Sequence, residues 1–114
     1  MRFLCVYKHG EDHPPTAAEM ESMGTLIAEM VQAGVLLSTE GCLPSAKGFR
    51  VRRAGKRITV TDGPFTESKE VIGGFALIKV NSKAEALEWT KRFLDVAGDG
   101  ESEVRELYEQ PAHA

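Results

Sequence analysis

Cysteine is scarce in this sequence, with two in 114 residues, and tryptophan occurs once. Cys5 and Cys42 both sit in apolar, strand-like surroundings, which suits small buried hydrophobes in a reducing compartment and not a disulfide framework. Long hydrophobic runs are missing as well, and none approaches the roughly 20 residues of a membrane span. A strong charge of either sign is absent, and a net charge of −3 excludes the basic footprint expected of a nucleic-acid partner. There is no Gly-rich phosphate loop, nucleophile elbow or Cys-x-x-Cys pair, which removes nucleotide hydrolysis, serine hydrolase chemistry and thioredoxin-like redox work. Met1 to Lys8 has one basic residue before a short apolar run and no cleavage signature, so the expected location is the cytoplasm.

What remains is enough for one ordinary folded domain, with 42% hydrophobic and 27% charged residues. Residues 1–110 are expected to form it, with 111–114 as a frayed tail. Phe3 to Tyr7 reads as a strand covered on both faces. Thr16-Ala17-Ala18-Glu19 has capping-box spacing and opens a helix whose stripe of Met20, Met23, Ile27, Met30 and Val31 is expected to be core. Gly34 stops it. Val35 to Leu43 is the second strand. Lys47 to Arg53 and Arg57 to Thr61 alternate as the two arms of a hairpin, Phe49, Val51, Ile58 and Val60 marking its apolar side. Its outer face is a basic cluster, read as a solvated edge. Phe75 to Val80 is a strand entered through Gly73-Gly74, a second helix starts at Ser82-Lys83-Ala84-Glu85, and Glu103 to Tyr108 is the last strand.

The order is β-α-β, hairpin, β-α-β, which predicts an α+β ferredoxin-like domain: one antiparallel sheet with two helices on one face. Leu4, Val6, Ala76 and Ile78 are expected under the helices. Phe3, Cys5, Tyr7, Phe75 and Leu77 would then form a second apolar face that calls for a homodimer packed sheet to sheet.

Between the hairpin and the Gly73-Gly74 strand lies Asp62-Gly63-Pro64-Phe65, followed by Thr66-Glu67-Ser68-Lys69-Glu70. An Asp that bonds its own backbone, a permissive Gly and a φ-locked Pro specify this path tightly. Such a loop is either a structural corner or a platform that presents charge to a ligand. With Ala33-Gly34-Val35-Leu36, Glu40-Gly41-Cys42-Leu43, Gly73-Gly74-Phe75 and Glu85-Ala86-Leu87-Glu88-Trp89, the chain resembles the YCII-related family, in the branch known for its Asp-Gly-Pro-Phe motif. The resemblance implies a bacterial dimeric α/β barrel, often encoded beside extracytoplasmic-function sigma factors, without an established reaction. A His-Asp pair, its His on the first helix, has been suggested for the related YciI branch. No histidine lies between His13 and His113, so that imidazole is absent and the mechanism is not carried over.

The candidate site therefore rests on carboxylates. Asp62, Glu67 and Lys69 are the candidate catalytic residues, with Asp62 as general base or orienting acid and Lys69 stabilising negative charge. Tyr7, Glu40, Phe65 and Glu70 are the candidate substrate-binding residues, Glu40 because a carboxylate interrupting an apolar strand must be solvated or paired. His9-Gly10-Glu11-Asp12-His13 lacks metal-ligand geometry and reads as a surface turn, so neither metal nor cofactor is expected. Two functions fit: a small-molecule-binding barrel acting as a cofactor-independent isomerase or lyase, or a noncatalytic regulatory module linked to sigma-factor control.

Overall fold

The computed structural model describes residues 1–10, 15–65 and 70–109. The elements run β1 (Arg2–His9), α1 (Ala17–Gln32), β2 (Leu36–Gly41), a 3-10 turn (Ser45–Lys47), β3 (Phe49–Ala54), β4 (Arg57–Asp62), β5 (Val71–Lys79), α2 (Lys83–Ala97) and β6 (Glu101–Glu106). Four strands form one sheet in the order β2-β5-β1-β6, and β3-β4 stand apart as a two-stranded ribbon. All pairings are antiparallel. This is the expected split βαβ plan with a hairpin inserted between its second and third sheet strands.

Local chemistry places the helices. Thr16 Oγ1 accepts from the Glu19 N–H at 3.1 Å while the Glu19 carboxylate accepts from the Thr16 N–H at 3.4 Å. At the far end of α1, Gly34 adopts φ 73°, and the N–H groups of Gly34 and Val35 donate to Val31 and Met30, so two terminal carbonyls are satisfied and the chain turns directly into β2. Ser82 caps α2 by accepting from the Glu85 N–H, but the Glu85 carboxylate reaches one residue further back, to the Asn81 N–H at 2.9 Å.

The core lies between the sheet and the two helices: Phe3 and Ile78 from the strands meet Leu26 and Met30 from α1 and Ala86 from α2. The register corrects the expected faces. Phe3 pairs with Ile78 and Cys5 with Ala76, while Leu4 pairs with Leu77 and Val6 with Phe75. Directly opposed residues share a face, so Phe3, Cys5 and Tyr7 lie under the helices with Ala76 and Ile78. Leu4, Val6, Phe75 and Leu77 make up the open face.

Other boundaries move too. β2 stops at Gly41, with one further bond from the Cys42 N–H to the Gly73 carbonyl. β5 begins at Val71 and runs through Gly73-Gly74, where the register against β1 slips by one residue and leaves Gly73 unpaired with it. β6 begins at Glu101, opposite Lys8. In α1 the expected stripe divides. Met30 is buried beside Leu26, Met23 and Ile27 are half-buried, and Met20 and Val31 are exposed. Leu87 on α2 is also exposed. Cys42 is exposed, Cys5 is half-buried, and both are free thiols.

Candidate functional site

Where α1 and α2 part above the sheet, a cleft of about 1020 Å³ opens. Its floor is the helix-facing side of β1 and β5, with Cys5, Tyr7 and Ala76, and its roof is Met23 and Ile27 from α1 with Trp89 and Phe93 from α2. Alternation along β1 that buries Phe3 carries Cys5, Tyr7 and then His9 onto this same surface.

Tyr7 and His9 form a fixed pair. Their rings stack with centroids 5.2 Å apart and planes 20° from parallel, and Phe93 meets the Tyr7 ring edge-on at 5.2 Å. The Tyr7 hydroxyl lies 3.1 Å from the Asp99 carbonyl, which anchors it to the α2–β6 connection. The His9 Nδ1 faces the Gly10 carbonyl oxygen. A carbonyl only accepts, so Nδ1 carries the proton, and in the neutral ring Nε2 is left as the basic nitrogen.

Two glycines make room for this pair. A Cβ on Gly73 would fall 2.5 Å from His9 Nε2, and one on Gly100 would fall 2.6 Å from a Tyr7 ring carbon. Gly74 serves the strand contact instead: its Cβ would meet the Glu40 carbonyl oxygen at 2.7 Å. Deeper in the cleft, burial pushes the Cys5 thiol up, with a smaller opposing effect from its hydrogen bond to Thr90.

The sequence-derived candidates fall into three groups. Tyr7 and Glu40 line the cleft, and the register sets Glu40 opposite Phe75, which lines it too. Asp62, Phe65 and Glu70 do not line it. Glu67 and Lys69 lie outside the described residues, as do Glu11, Asp12 and His13 of the histidine-bearing turn. No cluster suited to a metal ion occurs among the described residues.

The Asp62 loop closes on its own neighbourhood. Gly63 N–H donates to the Gly48 carbonyl at 2.9 Å and Phe65 N–H donates to Ser45 Oγ at 3.0 Å. The Gly63-Pro64 peptide is cis, and a Cβ on Gly63 would be driven into the Ser45 carbonyl. The Arg50 guanidinium covers the Phe65 ring at 3.7 Å. Asp62 itself is exposed at the end of β4.

His9 is the residue that sequence reasoning passed over, because the polar turn that follows it drew it into a loop. The available signal was the period of two: once Phe3 is taken as the buried position, His9 belongs to the same face.

An α+β sheet-and-helix domain with one large cleft under its helices is the class that fold and site define. The chain belongs to the YCII-related domain family, whose model matches residues 1–110. It is 32% identical over 89 residues to an uncharacterized protein of Rhizobium meliloti (strain 1021), covering 77% of this chain and 72% of that one. Among solved structures it is similar to 5-chloro-2-hydroxyhydroquinone dehydrochlorinase (TftG) from Burkholderia phenoliruptrix AC1100, in complex with 2,5-dihydroxybenzoquinone. The TM-score is 0.53 at 15% identity, with 96% of each chain covered, a likeness of fold. No helix among the described residues is long and apolar enough to cross a membrane.

Proposed function

We propose that the cleft binds a small planar organic molecule bearing an acidic ring or enol hydroxyl, and that His9 Nε2 accepts its proton in a cofactor-independent isomerase or lyase reaction. The observation that carries this reading is the His9 tautomer: the Gly10 carbonyl holds the proton on Nδ1, which leaves a base at a cleft wall. The volume is at the upper end of the roughly 300–1,000 Å³ of small-molecule sites, and the aromatic faces of Tyr7 and Phe93 suit a flat ring. A proton taken by Nε2 returns to a ring carbon in an isomerisation, or leaves with the expelled group in an elimination. The ring ligand of the structural neighbour is of the chemical class proposed here. On this reading His9 replaces Asp62 as the base, and Asp62, Phe65 and Glu70 belong to the corner that shapes the chain beyond β4.

Trp89, the sole tryptophan, lines the cleft and reports on its occupancy. Titration with hydroquinones, hydroxyquinones and enolic acids should quench its emission, and His9→Ala should abolish turnover of any that react while quenching persists. Absence of quenching across the panel, or full turnover by His9→Ala, sinks the proposal.

We further propose that the open sheet face, with Leu4, Val6, Phe75 and Leu77, packs against that of a second copy. Phe75 remains 37% exposed in the centre of this apolar face. Light scattering should give a dimer, and a chain that stays monomeric at high concentration would contradict it.

A further inference from the structure

The β3–β4 ribbon has no place in the cleft, and it is built unlike the rest of the molecule. A compact chain of this length has a radius of gyration of about 13 Å. The observed value is 16.2 Å with extents of 45 × 43 × 23 Å, and the ribbon pairs with no strand of the main sheet. Val51 pairs with Val60, and Phe49 and Ile58 flank them on the same face. All four are between 60% and 66% exposed. A two-stranded ribbon with a bare apolar face is marginal in water, so this one needs a cover that the described residues of its own chain do not supply.

Charge identifies the cover. Six of the 14 Lys and Arg residues fall between positions 45 and 65 (Lys47, Arg50, Arg52, Arg53, Lys56 and Arg57) against one acid, Asp62. The segment therefore carries +5 and the remainder of the chain −8, which together give the −3 of the whole. A ribbon of this charge is repelled by other ribbons and drawn to the acidic body of another molecule of the same kind.

We propose that the β3–β4 ribbon is an intersubunit arm: it extends from one copy and seats its Phe49, Val51, Ile58 and Val60 face on a second copy of this chain, with Arg53, which shares that face through its pairing with Ile58, against the acidic body of that copy. This rests on the homodimer proposed above and adds to it the element that clasps the two copies. Because Cys42, Leu43 and Pro44 line the cleft and lead into the arm, the clasp is also joined to the cleft wall.

The test measures the dimer constant by analytical ultracentrifugation together with hydrogen exchange of the ribbon amides. Removing the opposed apolar pair, with Val51→Ser and Val60→Ser, should raise the dimer Kd by more than about tenfold. Arg53→Gln, at the basic position that shares the apolar face, should weaken the dimer at low salt and flatten its salt dependence, and it leaves the four apolar side chains intact should the first variant misfold. Amides of residues 50–61 should become protected as protein concentration rises through the Kd. A parent dimer with Kd unchanged in both variants, and ribbon amides that exchange fast at every concentration, overturns the arm and leaves sheet packing standing. Leu77→Arg that remains dimeric while the Val51/Val60 variant is monomeric upholds the arm and overturns sheet packing. A parent that is monomeric throughout overturns both. Ribbon protection that appears only on adding duplex DNA or RNA overturns the arm in favour of a nucleic-acid contact.

Discussion

Two regions of this molecule depend on glycines that no larger residue could replace without displacement, and they differ in what the glycines admit. At the Asp62-Gly63-Pro64-Phe65 corner, Gly63 lets backbone approach backbone: its neighbour is the Ser45 carbonyl, and the N–H groups of Gly63 and Phe65 are tied to Gly48 and Ser45. At the end of the cleft, Gly73 lets the His9 ring stand where it does, and Gly100 admits the Tyr7 ring together with the Lys8 carbonyl, beside an open volume. A corner fixed by peptide-to-peptide contacts leaves a rigid sequence signature. A site made of two rings in an alternating strand leaves almost none. The most conspicuous motif and the most chemically capable surface are therefore different places.

Substitution of the glycines tests that contrast most severely. Gly63→Ala forces a Cβ into main chain that cannot rotate away, and should cost about 3 kcal/mol in urea unfolding, while the folded fraction keeps its affinity for cleft ligands. Gly73→Ala presses on the His9 ring, which can shift, and should cost only about 1 kcal/mol yet weaken ligand binding or turnover more than tenfold. If the two variants exchanged these phenotypes, the assignment of corner and site would be reversed. Next in size is the pair His9→Ala and Asp62→Asn. Loss of a general base should reduce turnover by about 100-fold or more. Asp62 is exposed at a strand end, so Asp62→Asn should change stability by less than about 0.5 kcal/mol and leave turnover within about twofold. Loss of turnover in a stable Asp62→Asn protein would return the chemistry to the loop.

The same contrast explains what could be read from the sequence. Element order, the capping box at Thr16, the Ser82 side-chain cap, the Gly34 stop and the amphipathic hairpin are encoded within a few residues each, and the fold was legible from them. The faces of β1 were not, because Phe3 to Tyr7 is apolar at every position and a continuous run has no internal phase. Phase is set by register against β5, a contact some 75 residues distant in sequence, as in Phe3 against Ile78. His9 inherited that ambiguity. Leu26, which is buried, was missed and Val31, which is exposed, was misplaced because Met20, Met23, Leu26, Ile27, Met30 and Val31 together offer more than one apolar stripe along α1.

Smaller effects compare the two faces of the sheet. Cys5, on the helix-facing side, has its thiol pushed above the ordinary 9.0 by burial, so folding favours the protonated form. Its stabilising contribution is fully present below pH 9.0 and is lost as pH rises through the higher value in the folded protein. Cys5→Ser, with a far weaker acid, should flatten the alkaline fall in stability. Iodoacetamide should modify exposed Cys42 well before Cys5, and occupancy of the cleft should slow Cys5 further.

Glu103 on β6 titrates in the opposite sense. The Lys8 ammonium 3.1 Å away, followed by the Arg105 guanidinium at 3.3 Å, holds its carboxyl below the ordinary 4.5. The ion pairs contribute above pH 4.5 and are lost as pH falls through the lower value in the folded protein, so Glu103→Gln should remove a small acid-side dependence and leave neutral stability nearly unchanged. Val6, the residue paired with Glu103, belongs to the open sheet face. Dimerisation through that face would exclude water around the ion pairs, so the carboxyl shift followed by NMR should depend on protein concentration. A titration curve identical above and below the dimer Kd would place Glu103 outside the interface, and the sheet contact would then have to lie nearer β2.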